Sequence, residues 1–416
     1  MQLSDRDRQF LSGECGEAGK LAMELLVKVG EAYGAERMID IAWAHVAGAF
    51  DSGQANHDFA ERLAAGGAQV AVPTTLTACS IDTQAPTGTP AEKRAIALVD
   101  LYKGMGCRPV MTCAPYQARP EPGFGEHLAW SESSAVVYAN SVLGARSNRY
   151  VEYLDICAAI TGRVPECGLH LDENRFATVE CRLDALPADW LLADWFHPLL
   201  GLWLGEHSGD AVPAITGLPG SASRDDLRSL GAAAATAGSL DMFHAVGLTP
   251  EAPTLQEATG GSKPARVLDV KHDDIRSAGK RLCRNHNEAL TTICLGAPHF
   301  SLEEFARLER GLAGRSPAAG IELIVATSHE VLAGLHRNSV FERLQSSGVR
   351  IVTGRCTYYP PAVANNDGHV LTDSAKWAFY APAALGVPVT YAGLDTCVES
   401  ACAGELVSHG EPWLDS

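Results

Sequence analysis

The stretch "TTICLGAPHFSLEEF", residues 291–305, carries the pattern that decides the fold class. An apolar run ends on Cys294, a short Gly–Pro turn with His299 follows, and Ser301 stands where a helix begins. A strand followed directly by a capped helix is typical of an α/β sheet. The same arrangement presents metal ligands or catalytic groups in many proteins. An ordinary strand-to-helix turn is the alternative interpretation.

The alternation of apolar runs and helical periodicity continues on both sides of this stretch. Strands are predicted at 38–47, 108–116, 265–270, 321–328, 348–356 and 388–394. Helices are predicted at 90–104, 150–162, 224–245 and 273–289. Strands of nearly continuous apolar character that alternate with helices indicate parallel sheets flanked by helices. We therefore predict an α/β fold in two regions, 1–260 and 261–416, with residues 249–266 as a linker.

Composition and charge limit the partners and the cellular location that we expect. The chain has 416 residues, of which 46% are hydrophobic, and a net charge of −17. An acidic chain repels phosphate backbones, so nucleic acid is not expected as a partner. No apolar run is long enough for a membrane span and the N-terminus lacks an apolar signal core, which predicts a cytoplasmic protein. The twelve cysteines include no CxxC pair, so most are expected to be small buried hydrophobic residues.

Polar side chains are concentrated between residues 112 and 149. The candidates for substrate contacts there are Cys113, Tyr116, Glu132, Ser133, Asn140, Ser141, Arg146, Asn148 and Arg149. Small polar groups buried without a partner cost about 1–3 kcal/mol each, so we expect them to face a polar cavity or to bond the backbone. The two guanidinium groups of Arg146 and Arg149 suit bidentate capture of a carboxylate or phosphate. A solvated surface loop is the alternative.

Other polar side chains follow predicted strands or begin predicted helices. His45, Thr74, Thr75, His170, Ser374 and Lys376 are the further candidates for the site. Polar strand ends are where α/β proteins bind ligands. Three cysteines, Cys294, Cys356 and Cys397, also come just after predicted strands of one region. If those strands form one parallel sheet, the three thiolates converge and suit iron in an iron–sulfur cluster.

Several stretches resemble one known family, in the family's order along the chain. They include "MTCAPY", "FGEHLAWSESSAVVYANSVLGARSNR", "CLGAPHFSLEE" and "TDSAKWAFYAP". The chain resembles the catalytic large subunit of aconitase X, the divergent branch of the aconitase superfamily. The resemblance implies an aconitase-like multi-domain α/β architecture, an active site in a cleft between domains, and a hydro-lyase. Family members dehydrate cis-3-hydroxy-L-proline or mevalonate 5-phosphate.

The resemblance also implies a cofactor, a partner and residue roles. Cys294, Cys356 and Cys397 are the implied ligands of a [4Fe-4S] or [2Fe-2S] cluster, or of a single iron. Cys113 is implied in the substrate pocket, with a ligand role left open. A separate small swivelling-domain subunit is implied as the partner that carries a serine base, and Cys113 and His170 are the alternatives within this chain.

The expected reaction is dehydration of cis-3-hydroxy-L-proline to Δ1-pyrroline-2-carboxylate. Two departures from the family pattern leave the cluster type open: Ala297 stands where many relatives have cysteine, and "GRC" at 354–356 where many have Asp-Thr-Cys. Mevalonate 5-phosphate is the alternative substrate, and a cluster-free paralogue is the non-enzymatic alternative. A zinc hydrolase that uses His45, His170 and His299 with a cysteine is a further alternative, although the three histidines lack a short paired spacing.

Overall fold

The computed structural model describes residues 1–47, 53–77, 81, 88–117, 120–150, 153–238, 240–284, 289–359, 363 and 368–414. These residues divide into two compact units, Met1–Phe176 and Ala177–Ser416. The first unit has one parallel sheet and the second has two, and each unit has its own buried apolar residues. Within the described residues, no helix combines the length and the apolar character that crossing a membrane requires.

The first unit, Met1–Phe176, contains a small parallel sheet and one antiparallel strand pair. Its strands are β1 Met38–Asp40, β2 Trp43–Val46, β3 Thr74–Leu76, β4 Leu128–Trp130 and β5 Arg163–Pro165. Its α-helices are α1 Asp5–Ser12, α2 Gly16–Ala32, α3 Gln54–Ala65, α4 Pro90–Gly104, α5 Ser133–Tyr138 and α6 Leu154–Thr161. The parallel sheet has the order β3–β2–β4, and β1 pairs with β5. The predicted strand at 38–47 is therefore two strands, which belong to different sheets.

Two helices with buried apolar faces pack together in the first unit. Helix α2 buries Ala22, Met23 and Leu26 on one face, and it packs against α6, which is buried along most of its length. A buried ion pair adds a polar link, because Arg163 Nε donates to Asp7 Oδ1 at 2.9 Å. Arg163 thereby connects β5 to the first helix of the chain.

The second unit, Ala177–Ser416, contains two larger parallel sheets. Its strands are β6 Val179–Arg182, β7 Pro213–Thr216, β8 His244–Ala245, β9 Arg266–Asp269, β10 Leu290–Phe300, β11 Glu322–Thr327, β12 Val349–Thr353, β13 His369–Thr372 and β14 Val389–Tyr391. Its helices are α7 Ala188–Leu192, α8 Phe196–Ser208, α9 Arg224–Gly238, α10 Leu255–Ala258, α11 His272–Arg281, α12 Leu302–Leu312, α13 His329–Arg337, α14 Val340–Ser346, α15 Ala375–Leu385 and α16 Leu394–Ala403. The sheet orders are β8–β7–β6–β9 and β12–β11–β10–β13–β14. The prediction of parallel sheets flanked by helices is confirmed.

The division of the chain differs from the predicted regions, 1–260 and 261–416. Residues 249–266, predicted as a linker, lie inside the second unit, where α10 forms and β9 begins. The physical reason is strand pairing, since β9 pairs with β6 in register from Arg266 opposite Val179 to Asp269 opposite Arg182. A chain segment that completes the sheet begun at Val179 cannot belong to a separate folding region.

The segment 291–305 forms the predicted strand and capped helix, with a longer strand than expected. Strand β10 continues past Cys294 to Phe300, with a register shift against β11 between Leu295 and Phe300. Ser301 then begins α12 through a reciprocal cap with Glu304, as its position predicted. The predicted strand at 108–116 is absent from the described residues. Arg108 makes only an isolated bridge to Thr75, and a single 3₁₀ turn forms at Pro115–Gln117.

Gly296 allows β10 to continue beside β11. Its φ is +90°, and a Cβ atom there would lie 2.2 Å from the Ala326 carbonyl oxygen. We therefore expect Gly296→Ala to lower the free energy of unfolding by about 3 kcal/mol or more, because backbone strain and steric overlap add. Gly386 is the matched control, since its φ is +72° and its Cβ would meet no atom within 4 Å.

Gly386→Ala should therefore cost about 1 kcal/mol, from the backbone conformation alone. Urea unfolding of the two variants measures the difference. Equal losses of stability would contradict the role that we assign to the close approach of β10 and β11.

Candidate functional site

His299 lies in the irregular end of β10 between Leu295 and Phe300, where the register against β11 shifts, and we call this segment the His299 loop. It brings His299 close to Cys356, which follows β12. His299 is fully buried, and its Nε2 lies 3.0 Å from the carbonyl oxygen of Arg355. Because a carbonyl only accepts, Nε2 carries the hydrogen and the ring lone pair is on Nδ1. A His299 ring nitrogen lies within 4.8 Å of the Sγ of Cys356, the residue after Arg355. We call these two side chains the His299–Cys356 pair.

The chemistry of this pair fits iron. Imidazole nitrogen and thiolate sulfur are both iron ligands in proteins, and zinc accepts the same donors. A metal-binding histidine usually donates its other ring N–H to a carbonyl or carboxylate, which fixes the tautomer and the ring direction. The bond from His299 to the Arg355 carbonyl has this arrangement. The pair therefore has the donors and the supporting hydrogen bond of a metal site.

The other two cysteines of the predicted ligand set have different surroundings. Cys294 is fully buried within β10, six residues before the strand ends, and Cys397 is fully buried within α16. Burial raises the pKa of both thiols well above its usual range. Among the described residues, neither belongs to a set of three potential ligands whose donor atoms all lie within 4.8 Å of one another. The structure thus does not bring Cys294, Cys356 and Cys397 into one such set.

A polar cleft lies beside the loop that carries His299. Ala297 and Pro298 form part of its lining. Ser374 and Lys376, both candidates from the sequence, line the same cleft. Ser374 caps α15, since its hydroxyl accepts from Trp377 N at 3.0 Å and donates to the Ala297 carbonyl. Lys376 is only 5% exposed, so its ammonium belongs to a largely dry environment.

The cleft also has charged side chains that were not predicted from the sequence as site residues. Arg228, Glu304 and Asp373 also line it. Burial raises the pKa of Asp373 well above its ordinary value, and it raises the pKa of Glu304 to about 6 despite the nearby Arg228. Glu304 was visible in the sequence as the third residue of a capping box. Arg228 lies in an alanine-rich helix, and the two groups to which it donates hydrogen bonds are 71 and 76 residues away, so the local sequence does not indicate them.

In the first unit, His170 forms the centre of a buried chain of hydrogen bonds. Its Nδ1 lies 2.9 Å from Nδ1 of His127, and its Nε2 lies 2.7 Å from the Tyr150 hydroxyl. Burial, together with the nearby His127, Arg175 and Arg146, lowers the pKa of His170 to about 3. His170 is therefore neutral at pH 7, with one nitrogen that donates and one that accepts. His127 and Tyr150 were not predicted as part of this arrangement.

Three candidates of the 112–149 segment hold neighbouring turns in place. Arg146 is ion-paired with Asp172, and its Nη1 donates to the His170 carbonyl at 3.0 Å. Asn148 donates to the Cys167 carbonyl and accepts from Leu169 N. Asn140 exchanges hydrogen bonds with the backbone of Ser147. Substrate contacts by these side chains stay predictions.

The remaining candidates of the first unit lie in or next to its small parallel sheet. His45 in β2 is fully buried, with Nδ1 2.7 Å from Thr75 Oγ1 and Nε2 3.1 Å from the Thr112 carbonyl. Cys113 follows Thr112 and is 1% exposed. The others are Thr74 in β3, Tyr116 stacked on Tyr138, Glu132 and Ser133 at the start of α5, the buried Ser141, and Arg149, whose backbone forms an isolated β-bridge with Trp130.

The histidines proposed for a zinc hydrolase are engaged in these separate contacts. Within the described part of the chain, neither His45 nor His170 belongs to a set of three potential ligands within 4.8 Å of one another. A hydrolytic zinc site needs three protein ligands on one ion. The arrangement of His45 and His170 therefore gives no support to that alternative.

Comparison with known proteins identifies the family. The sequence profiles of the aconitase X first, second and third domains match residues 1–173, 177–280 and 290–403. The chain belongs to the aconitase X family. Its backbone also matches the crystal structure of Thermococcus kodakaraensis aconitase X in the holo-form, with a TM-score of 0.87 and 32% identity over 96% of this chain and all of that one. The aconitase X resemblance and the α/β architecture are thus confirmed.

Three relatives of the chain carry one of two dehydratase names. A cis-3-hydroxy-L-proline dehydratase of Pseudomonas aeruginosa is 40% identical over 98% of this chain and 71% of its own length. A protein of the same name from Hypocrea jecorina is 37% identical over 97% of this chain and 69% of its own. The phosphomevalonate dehydratase large subunit of Methanothermobacter thermautotrophicus is 36% identical over 94% of this chain and 96% of its own. All three are named as dehydratases, which are hydro-lyases.

The buried histidines predict a specific acid sensitivity. Burial lowers the pKa of His45 from 6.5 to about 4, although the Glu132 charge opposes this. Between these values the unfolded chain binds the proton and the folded chain does not, so stability falls as pH falls from 6.5 to 4. We expect His45 alone to account for roughly 3 kcal/mol of that loss.

His45→Gln tests this assignment, because an amide still donates to the Thr112 carbonyl but does not titrate. Urea unfolding between pH 7.5 and pH 4 should show a shallower pH dependence in the variant. An unchanged slope would mean that other groups cause the acid sensitivity.

Proposed function

We propose that this chain is the catalytic large subunit of a dehydratase that converts cis-3-hydroxy-L-proline to Δ1-pyrroline-2-carboxylate. One observation carries the proposal: two relatives with that activity in their names are 40% and 37% identical over nearly the whole chain. The phosphomevalonate dehydratase large subunit described above is 36% identical. The small swivelling-domain subunit is the proposed partner, since the archaeal relatives are named large subunits.

The reaction removes the proton from the carbon next to the carboxylate and expels the 3-hydroxyl group. The carbon–hydrogen electron pair forms the new double bond as the carbon–oxygen bond breaks, and the expelled hydroxide leaves as water with one proton. The immediate product is an enamine, which takes up a proton on carbon, loses the proton of its nitrogen and becomes the cyclic imine. The chain must therefore bind the carboxylate, assist the departure of hydroxide and keep bulk water out.

The His299–Cys356 pair is our proposal for the residues that hold iron, alone or in an iron–sulfur cluster. When bound, iron supplies Lewis acidity toward the 3-hydroxyl group, which makes a poor leaving group a better one. His299 contributes its Nδ1 lone pair, because its Nε2–H is committed to the Arg355 carbonyl. Cys356 is only half-buried, and a ligand thiol must lose its proton to bind metal.

Lys376 is our proposal for the group that binds the substrate carboxylate. A cation on that carboxylate stabilises the negative charge that develops when the adjacent carbon loses its proton. Lys376 lines the cleft beside the His299 loop, and its low exposure strengthens the electrostatic interaction. Arg146 and Arg149 remain the sequence-based alternative. The base is proposed to be the serine of the small subunit, with Cys113 and His170 as the candidates within this chain.

Metal content distinguishes the His299–Cys356 pair from the three-cysteine set. We expect His299→Ala and Cys356→Ser to lose most of their iron when purified without oxygen, whereas Cys294→Ala and Cys397→Ala keep it. Iron and acid-labile sulfide are measured on each protein, and the ratio of sulfide to iron gives the type of centre. Loss of iron from the last two variants, with iron retained in His299→Ala, would restore the three-cysteine set.

Cys113→Ser belongs in the same series, because the sequence left two roles open for Cys113. Loss of iron would make Cys113 a ligand. Retained iron with lost turnover would place it in the substrate pocket.

The carboxylate contact is tested with Lys376→Met. We expect kcat/KM for cis-3-hydroxy-L-proline to fall by about 10- to 100-fold, as loss of a buried charge-assisted hydrogen bond predicts. Arg146→Met is the comparison, and a larger loss there would assign the carboxylate to the first unit. Both are assayed with the small subunit present, with mevalonate 5-phosphate as the second substrate. Turnover of mevalonate 5-phosphate alone would overturn the proposed substrate.

A further inference from the structure

A buried ionic network joins helix α9 to the loop that carries His299. Arg228 of α9 is 2% exposed, and its Nη1 donates to the His299 carbonyl. The same guanidinium donates through Nη2 to Glu304 of α12 and lies 3.3 Å from Asp225. One planar side chain therefore holds the backbone of the loop and the first turn of the next helix at once.

The backbone just after His299 is held by the same network. Ser301 N donates to Glu304 Oε2 at 2.8 Å, and the Ser301 hydroxyl donates to Asp225 Oδ2 at 2.6 Å. The Ser301 hydroxyl also accepts from Glu304 N at 3.2 Å. The carbonyl of His299 and the N–H of Ser301 are thus both bound, two residues apart. The loop has little freedom to rotate as a result.

The ring of His299 is fixed at a third point. Its Nε2 donates to the Arg355 carbonyl, and the residue after Arg355 is Cys356. The hydrogen bond from Arg228 fixes the position of the His299 backbone. The ring hydrogen bond fixes the rotation of the His299 side chain. Together they decide the direction of the Nδ1 lone pair.

We propose that Arg228 is a positioning residue for the metal ligand His299. It acts through His299, because it keeps the His299 loop at the position from which Nδ1 reaches a metal shared with Cys356. This inference rests on the proposed function of the His299–Cys356 pair. Positioning accounts for the burial of Arg228 better than stability does, because burying a charged pair often gains little over an apolar contact. Hydrogen bonds behind a metal ligand, in contrast, commonly change metal affinity 10- to 100-fold.

The chain contains a comparison for the loss of an ion pair on the same helix, although its arginine is more exposed than Arg228. Arg307 lies on α12 itself, and its Nη2 donates to Asp194 Oδ2 at 3.0 Å. It joins the same helix to another part of the second unit, and none of its hydrogen bonds within the described residues reaches the His299 loop. Removing it should cost stability without moving the ligand.

The experiment is Co²⁺ titration of the full-length, metal-free protein without oxygen, followed by the cobalt–thiolate absorption band. We expect Arg228→Met to raise the Kd for Co²⁺ by about 10- to 100-fold and to shift the band, and Arg307→Met to leave both within about twofold. Arg228→Lys should be intermediate, because an ammonium reaches one of the two acceptors. Urea unfolding of each variant shows whether the stability losses are comparable.

The outcomes separate this inference from the proposed function. Wild-type affinity in Arg228→Met, together with loss of binding in Cys356→Ser, would overturn the role of Arg228 and keep the metal pair. An equal loss of affinity in Arg307→Met would reduce Arg228 to a general stabilising residue. Wild-type protein that binds no Co²⁺, or a Cys356→Ser variant that binds it normally, would overturn both the pair and the role of Arg228. Turnover of cis-3-hydroxy-L-proline is measured separately and decides the substrate.

Discussion

The position of β10 at the centre of the five-stranded sheet is the constraint on which the candidate site depends. Strand β10 pairs with β13 over Leu290–Ile293 and with β11 as far as Phe300. Its carboxyl half is held on the other side by the hydroxyl groups of Thr372 and Ser374, which donate to the carbonyls of Cys294 and Ala297. In a parallel sheet, the loops that follow the strands meet at one edge. His299 lies one residue before the end of β10, Cys356 follows β12, and Ser374 and Lys376 follow β13. Residues that are far apart in the sequence therefore share one end of one sheet.

This arrangement explains which parts of the site the sequence revealed. Ser374 and Lys376 were predictable because a polar residue that caps a helix after an apolar strand has a recognisable local pattern. The ligand set was less predictable, because it depends on how far each strand continues. The sequence indicated a strand that ends on Cys294, but the close approach at Gly296 lets β10 continue to Phe300. His299 then lies near the strand end, one residue before Phe300.

At Cys397 the strand ends earlier than the sequence indicated. The sequence placed it at the end of the strand in 388–394, whereas β14 ends at Tyr391 and α16 begins at Leu394. One turn of helix is enough to turn the thiol into the apolar core. Arg228 shows a second limit, since periodicity predicts a helix near it but does not show which carbonyl its guanidinium reaches. Helices and strands follow from local sequence patterns, whereas the contacts between them depend on how the whole sheet is assembled.

The charges of the cleft bear on the substrate class. Lys376 and Arg228 place positive charge there, while Glu304 and Asp373 place carboxyl groups beside it. An amino acid such as 3-hydroxyproline carries a carboxylate and a ring ammonium, so each sign of charge has a partner, and an ammonium stabilises the ionised form of a buried carboxyl. A phosphate monoester brings two negative charges, which meet one largely buried lysine, an arginine already bound to Glu304, and two carboxyl groups. Desolvation of the unmatched charge costs free energy in proportion to its burial. The mixed polarity of the cleft therefore favours a zwitterion over a phosphorylated acid.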